Sequence, residues 1–245
     1  MRSASGFFHE IFKSYQGEGP LVGRRQLFLR LGGCSLRCRY CDTPAALIRR
    51  GWFELELQGG ERLRRDNPVS AAAAKELLDH YDPDQLEVAL TGGEPLDQAE
   101  YLSELLPLLK PARSILLETA GVDAQGMARV RPFVDIVSMD LKLDSSAGEG
   151  DRLEQHAAFL EAARGCRLYA KVIVSDAIVL DELEAAARLV AAFDRSLTLV
   201  LQPETDRVSN RPRPLSRLDE MHDTAARHLR DVRVIPQTHK YLGLP

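Results

Sequence analysis

Short apolar runs alternate with amphipathic stretches along most of this chain. Apolar runs at 26–31, 86–90, 114–117, 134–139, 168–174, 197–201 and 232–235 read as strands. Between them, helical spacing of apolar residues predicts helices over 70–80, 97–109, 123–130, 151–164, 180–193 and 216–229. Ser70, just after Pro68, is an N-cap for the first of these. Seven near-continuous apolar strands in strict alternation with six helices imply a parallel sheet covered by helices. Right-handed crossovers would curl such a sheet into a barrel, partial or complete. An open doubly wound sheet fits the periodicity equally well. Two stretches break the rhythm. Residues 45–67 are polar, rich in arginine and hold the only tryptophan, Trp52; they read as an insertion with a hairpin turn at Gly59-Gly60. Residues 204–214 form a second long loop. One domain spanning 1–245 is expected.

Composition narrows the class. Hydrophobic residues are 44% and charged residues 28% of the 245, as in ordinary globular proteins. The formal net charge of −4 gives no electrostatic reason to expect nucleic-acid binding. No apolar run is long enough for a membrane helix, and residues 1–6 lack the apolar region of a secretion signal. Three of the four cysteines crowd into residues 34–41. That distribution suits a metal site in a reducing cytoplasm better than a disulfide framework.

Polar or glycine-rich sequence follows every predicted strand, and in barrels the active site forms at the C-terminal strand ends. Cys34, Cys38 and Cys41, spaced C-x3-C-x2-C, follow the first strand. Clustered thiolates select zinc, copper(I) or an iron–sulfur cluster. A [4Fe–4S] cluster held by only three cysteines keeps one iron open to a small ligand; a zinc knuckle or three separate buried thiols are the plainer readings. Thr91-Gly92-Gly93-Glu94-Pro95 follows the second strand, either letting a ligand approach the backbone or simply turning the chain. Gln16-Gly17-Glu18-Gly19-Pro20 is either a hairpin turn or an amide and carboxylate set to read a heterocycle edge. Arg30, charged within an apolar strand, needs a partner: a ligand carboxylate, or an internal ion pair with Glu118 or Asp140. Asp42-Thr43 offers hard oxygen donors suited to Mg2+, or caps a turn. Cys166 reads as a small buried hydrophobe, and His9, His80, His156, His222 and His228 have no ligand spacing.

The cysteine loop after a first strand, with Gly-Gly-Glu-Pro after the second, resembles the radical S-adenosylmethionine (SAM) superfamily. A narrower resemblance runs through residues 10–19, 28–34 and 37–43 and the closing Gln237-Thr238-His239-Lys240-x-Leu242-Gly243-x-Pro245. These are similar to the 7-carboxy-7-deazaguanine synthase family. The insertion at 45–67 is longer and more basic than that family's pattern, and Asp140-Leu141-Lys142-Leu143 matches it loosely.

The resemblance implies a partial (β/α)6-type, TIM-like barrel with an additional C-terminal strand. It implies a [4Fe–4S] cluster on Cys34, Cys38 and Cys41, SAM chelating the open iron, and Mg2+ on Thr43. The implied reaction is ring contraction of 6-carboxy-5,6,7,8-tetrahydropterin, with loss of ammonia, in 7-deazapurine (queuosine-type) biosynthesis. Gln16, Glu18, Arg30, Thr91, His239 and Pro245 would meet the pterin, the last through a terminal carboxylate. Gly92, Gly93, Glu94, Thr119, Ser138 and Lys142 would meet SAM. A flavodoxin- or ferredoxin-like electron donor and a homodimer are implied as well. The rival readings are a glycyl-radical activating enzyme, which shares the cysteine spacing, and a non-catalytic zinc-binding module.

Overall fold

The seven predicted strands form one parallel array whose spatial order follows the chain. The computed structural model describes residues 4–57 and 59–245. Its strands are β1 (Ser5–Gly6), β2 (Phe8–Tyr15), β3 (Arg25–Leu31), β4 (Trp52–Glu56), β5 (Arg62–Asp66), β6 (Val69–Ser70), β7 (Val88–Gly92), β8 (Ile115–Thr119), β9 (Ile136–Asp140), β10 (Arg167–Val174), β11 (Thr198–Pro203) and β12 (Asp231–Val234). The helices are α1 (Ala71–Tyr81), α2 (Ala99–Leu109), α3 (Ala124–Val130), α4 (Asp144–Ala147), α5 (Leu153–Ala162), α6 (Leu180–Phe193), α7 (Leu218–Ala226) and α8 (Thr238–Leu242).

From β3 through β7, β8, β9, β10 and β11 to β12, every neighbouring pair is parallel. A doubly wound sheet reverses its strand order at a switch point; this order never reverses. The larger helices pack against each other in the same sequence, α1, α2, α3, α5, α6, α7. One face of the sheet therefore carries the helices, and the other curves inward. The sheet ends at β5 and β12, which do not pair, so the barrel is partial.

Strand alternation sorts side chains between the two faces. Leu27, Leu29 and Leu31 of β3 and Val88 and Leu90 of β7 join the large core under the helices. Burying each such side chain is worth about 1.5–3 kcal/mol. Phe28 and Ala89 point the other way and meet Phe12, Leu116, Ile136 and Tyr169 in a small apolar floor inside the barrel. The Phe12 and Phe28 rings stack there, with centroids 5.0 Å apart.

Helix boundaries follow local chemistry. The Ser70 hydroxyl accepts from Ala73 N at 3.3 Å, as its sequence position implies, and the Asp123 carboxylate accepts from Gly126 N at 2.9 Å. The insertion does form a hairpin: β4 and β5 pair antiparallel, and Leu57 N bonds to Glu61 O across the turn. Two arginines lie over the Trp52 ring, Arg50 and Arg64 at 5.4 and 4.1 Å from its centroid.

Several elements are absent from the periodicity. β2 pairs antiparallel with β3 and parallel with β4, extending the sheet by three strands. A register shift between Phe8 and Glu10 breaks its two-residue period, so Phe8 and Ile11, three residues apart, both face the helices while Phe12 faces the barrel interior. The stretch at 16–24 is thus the turn of a β2–β3 hairpin, closed by Gln16 N to Arg24 O at 2.8 Å. α4 and α8 are single turns, too short for helical periodicity to register.

Candidate active site

Above the apolar floor the inward positions turn polar. Arg30 and Thr91 are register neighbours on β3 and β7, Glu118 and Ser138 on β8 and β9, and Asp140 and Lys171 on β9 and β10. This polar belt and the loops above it line one pocket at the C-terminal strand ends. All sixteen residues singled out for cluster, SAM, substrate and Mg2+ line it, including Pro245 from the far end of the chain.

The cysteine loop forms one wall. Cys34, Cys38 and Cys41 are free thiols, part-buried, with Cys41 N bonded to Cys38 O at 3.0 Å. Burial pushes the Cys34 thiol up to about 11 and raises Cys38 as well. Thiols held protonated in this way are poor nucleophiles; a bound metal is what converts them to thiolates. Among the described residues, no three His, Cys, Asp or Glu side chains are grouped to hold a metal ion. A cluster makes a different demand, since its thiolates attach to separate irons, and three cysteines on one pocket wall with no nearby fourth ligand suit it.

The loop after β7 is stitched to the cysteine loop. Gly93 N donates to Leu31 O and Glu94 N to Gly33 O, both at 3.1 Å. Gly92 has φ +137°, and a Cβ there would lie 2.3 Å from Leu31 O. A Cβ on Gly93 would lie 2.1 Å from Gly33 O and 2.8 Å from the Cys34 Cβ. The two glycines are therefore required by the close approach of backbone, the end of β3 for Gly92 and the cysteine loop for Gly93, besides any ligand. Gly93→Ala is expected to displace that loop. Its stability should fall by an overpacking cost of about 1–3 kcal/mol, read as a lower melting point, and reconstitution should yield markedly less iron and sulfide per chain. Wild-type iron content in a normally folded variant would count against the packing role.

Glu94 is buried and fully engaged. Its carboxylate accepts from Thr119 Oγ1 at 2.7 Å, Ala120 N at 2.8 Å and Leu96 N at 3.1 Å, tying the β7 and β8 loops together. Burial raises it to about 6 against those three donors. On the next strand, Lys142 pairs with Asp140 at 2.7 Å and lies 5.0 Å from the Tyr40 ring centroid. Burial lowers the Lys142 affinity for its proton, but Asp140, Tyr40 and Cys38 more than reverse this, so it stays charged. His156 joins the two loops from behind: its Nε2 accepts from Lys142 N at 3.0 Å and its Nδ1 donates to Gly121 O at 2.9 Å.

The opposite wall is built from both ends of the chain. Thr238 N donates to Gly17 O at 2.8 Å, and Gln237 Nε2 donates to Glu18 Oε1 at 2.7 Å and to Asp42 Oδ2 at 3.0 Å. Gly17 passes so close to His239 that a Cβ would meet its Nδ1 at 2.0 Å. Burial lowers His239, which is therefore neutral at neutral pH. Asp42 accepts from Thr43 Oγ1 at 3.0 Å and faces Lys240 at 3.5 Å. Burial pushes Asp42 up, yet Lys240, Gln237 and Arg30 bring it down to about 2.

At the pocket base two carboxylates share one lysine. Lys171 pairs with Glu18, while Glu118 accepts from Gln16 Nε2 at 2.8 Å. Burial raises Glu18, but the Lys171 ammonium more than offsets it and the net direction is down. Glu118 goes the other way, raised by burial and by the nearby Glu18 charge. Gln202 Oε1 and Asp140 Oδ1 are buried without a hydrogen-bond partner in this pocket, a condition a bound ligand relieves.

Arg30 departs from both of its expected protein partners. Its Nε donates to Glu10 Oε1 at 2.8 Å, not to Glu118 or Asp140, and its guanidinium lies 5.6 Å from the Phe12 ring centroid. The Nη groups make no hydrogen bond among the described residues, so one edge of the fork is open to the pocket. Sequence reasoning missed Lys171, Gln202 and Gln237 and gave Glu118 no role beyond pairing. Lys171 carried the same signal as Arg30, a charge inside an apolar parallel strand. Cys166 is part-buried against the core, as expected.

A partial barrel with three cysteines after its first parallel strand and a Gly-Gly turn after the next has the architecture of a radical SAM enzyme. The pattern described as the radical SAM superfamily matches residues 29–207, from β3 to the loop beyond β11. The chain is 37% identical to the 7-carboxy-7-deazaguanine synthase of Geobacter sulfurreducens, over 96% of both chains. It is 34% identical to the enzyme of the same name from Methanothermobacter thermautotrophicus, again over 96% of both. In three dimensions it is similar to QueE from Escherichia coli, with a TM-score of 0.63 and 23% identity over 96% of this chain and 95% of that one. The chain belongs to the radical SAM superfamily and, within it, to the 7-carboxy-7-deazaguanine synthase family.

Proposed function

We propose that this enzyme contracts the ring of 6-carboxy-5,6,7,8-tetrahydropterin to 7-carboxy-7-deazaguanine, releasing ammonia. The observation that carries the reading is the joining of the 16–19 turn and the 237–245 segment over a pocket walled by the three cysteines. When bound, the cluster and SAM supply a strong hydrogen-abstracting radical to a substrate held within reach.

The chain's own residues bind, orient and exclude water. Cys34, Cys38 and Cys41 would hold the cluster, and the Gly92-Gly93 turn fixes the distance between that loop and β7. The SAM side would be formed by the 92–94 turn, Thr119, Ser138 and Lys142, with Glu94 acting through the loops it ties together. On the substrate side, Glu18 and Glu118 offer acceptors to the N–H edge of a 2-amino-4-oxo heterocycle, and Gln16 is locked between them. The open edge of Arg30 suits the substrate carboxylate. Thr43 and Asp42 present a hydroxyl and an ionised carboxylate beside it, a donor set that suits Mg2+. The neutral ring of His239 would close the site. Among the described residues no helix is long and apolar enough to cross a membrane. A homodimer in the reducing cytoplasm completes the proposal.

Arg30→Ala is expected to raise the KM for the carboxypterin roughly tenfold or more, the worth of a charge-assisted bidentate contact, with cluster absorbance intact. Steady-state kinetics with reconstituted enzyme test this. An unchanged KM would make Arg30 a partner of Glu10 alone.

A further inference from the structure

The strands β4 and β5 of the inserted hairpin line no part of the pocket, yet the hairpin's polar face runs up to Arg30. Phe53 and Leu55 of β4 join the core under the helices, so Glu54 and Glu56, alternating with them, face the pocket side of the sheet. Strand register gives the same row. Arg30 of β3 lies opposite Glu10 of β2, Glu10 opposite Glu54 of β4, and Glu56 opposite Arg62 of β5. Glu10 and Glu54 are thus direct cross-strand neighbours, an arrangement that repels unless a cation joins them. Arg62 is that cation. Its Nη1 donates to Glu54 Oε2 at 2.9 Å and lies 3.7 Å from Glu10 Oε2, and its Nη2 donates to Glu56 Oε2 at 3.3 Å. The two oxygens of Glu10 are thereby divided. Oε1 accepts from Arg30 Nε at 2.8 Å, while Oε2 faces Arg62. Glu10 meets Arg30 through one oxygen and at Nε, and among the described residues both Nη groups of Arg30 stay free for the pocket.

Resting on the functional reading above, we propose that Arg62 is a positioning residue for substrate binding: by holding Glu10 Oε2, it keeps the fork of Arg30 open to the substrate carboxylate. Without Arg62, repulsion from Glu54 drives Glu10 toward Arg30, and a carboxylate beside a guanidinium favours the bidentate fork. Glu10 then competes with the substrate carboxylate for the same N–H groups. The insertion acquires a role that needs no contact with the substrate. The effect is on affinity alone, because no reacting atom is touched. The Arg62 side chain is 45% exposed, so solvent screening keeps the effect modest.

The test uses cluster-reconstituted enzyme with SAM, reductant, Mg2+ and 6-carboxytetrahydropterin, assayed anaerobically at low salt. Arg62→Gln should raise the KM for the carboxypterin roughly threefold to fivefold, with kcat, the KM for SAM and cluster absorbance unchanged. Arg64→Gln removes an equal charge from the same strand, where the guanidinium lies over Trp52, and should leave that KM within about 1.5-fold. In a Glu10→Gln background, Arg62→Gln should add nothing, because an amide cannot form the competing bidentate ion pair. Tetrahydropterin without the 6-carboxyl group should bind wild type and Arg62→Gln equally. A wild-type KM in Arg62→Gln, an equal rise in Arg64→Gln, an equal rise in the Glu10→Gln background, or an equal loss of affinity for the carboxyl-free pterin would each overturn the proposal. A wild-type enzyme that neither binds nor converts the carboxypterin would overturn the functional reading instead.

Discussion

Cys38→Ala is expected to fold and to lose the iron–sulfur cluster, and with it all radical chemistry. Cys38 is part-buried in the middle of the ligand loop, with Cys41 N bonded to its carbonyl, so truncation leaves the backbone turn in place. Removing a small, partly exposed side chain from a loop has only a minor effect on stability. Ligation is another matter. Three thiolates already leave one iron without a protein ligand, and two leave a second iron open to solvent. The expected result is a protein with the wild-type melting point before reconstitution, no visible cluster absorbance after it, and no SAM cleavage. Full cluster absorbance in this variant would remove the ligand assignment and revive the view of three separate thiols.

Lys171→Met should have the largest effect on the folded state. Lys171 is buried at the base of the pocket and is the ion-pair partner of Glu18, with Glu118 nearby. Removing it leaves two carboxylates in a water-poor site with no cation. Breaking a buried pair by deleting one partner costs about 3–5 kcal/mol, less whatever the carboxyls recover by taking up protons. The sign of the pH dependence follows from the directions. In the wild type, Glu18 is held below its ordinary 4.5, so its contribution is present above that value and is lost as pH falls. Lys171 is held above its ordinary 10.5, so its contribution is present throughout the neutral range. In the variant, Glu18 loses the charge that held it down. The stability deficit should therefore be largest at alkaline pH and shrink as pH falls toward 5. Glu118→Gln should act oppositely. Glu118 is raised, so ionising it opposes folding, and the amide keeps an acceptor for Gln16; its melting point at neutral pH should rise. Thermal melts from acid to alkaline pH check all three signs. A Lys171→Met deficit independent of pH would mean that the lysine acts by packing and not by charge.

Much of this architecture is legible in the sequence for a simple reason. Parallel strands buried on both faces are apolar runs, and β7 to β11 each appear as one, so the alternation survives without knowledge of tertiary structure. β2 did not appear because its bulge puts Phe8 and Ile11, three residues apart, on the same face and so breaks the alternation that marks a strand. The cysteine loop was legible from spacing alone, and the glycine pair as a turn. The reason for those glycines was not, because the constraint is the backbone at the end of β3 and in the loop after it, 2.1–2.3 Å from where a Cβ would sit. Arg30 was flagged correctly as a charge requiring a partner, but its partner lies on the unseen strand β2, as Glu10. His156 reads as an ordinary helical histidine. Its role, bridging the loops after β8 and β9, exists only once α5 packs behind them.

The measurement closest to the central claim is an anaerobic assay of the reconstituted enzyme with SAM, reductant, Mg2+ and 6-carboxytetrahydropterin, following both SAM cleavage and the deazaguanine acid. Formation of 7-carboxy-7-deazaguanine, dependent on the cluster and lost in Cys38→Ala, is the expected result. SAM cleavage with no deazaguanine product would leave a radical SAM enzyme with a different substrate and contradict the function proposed for this pocket.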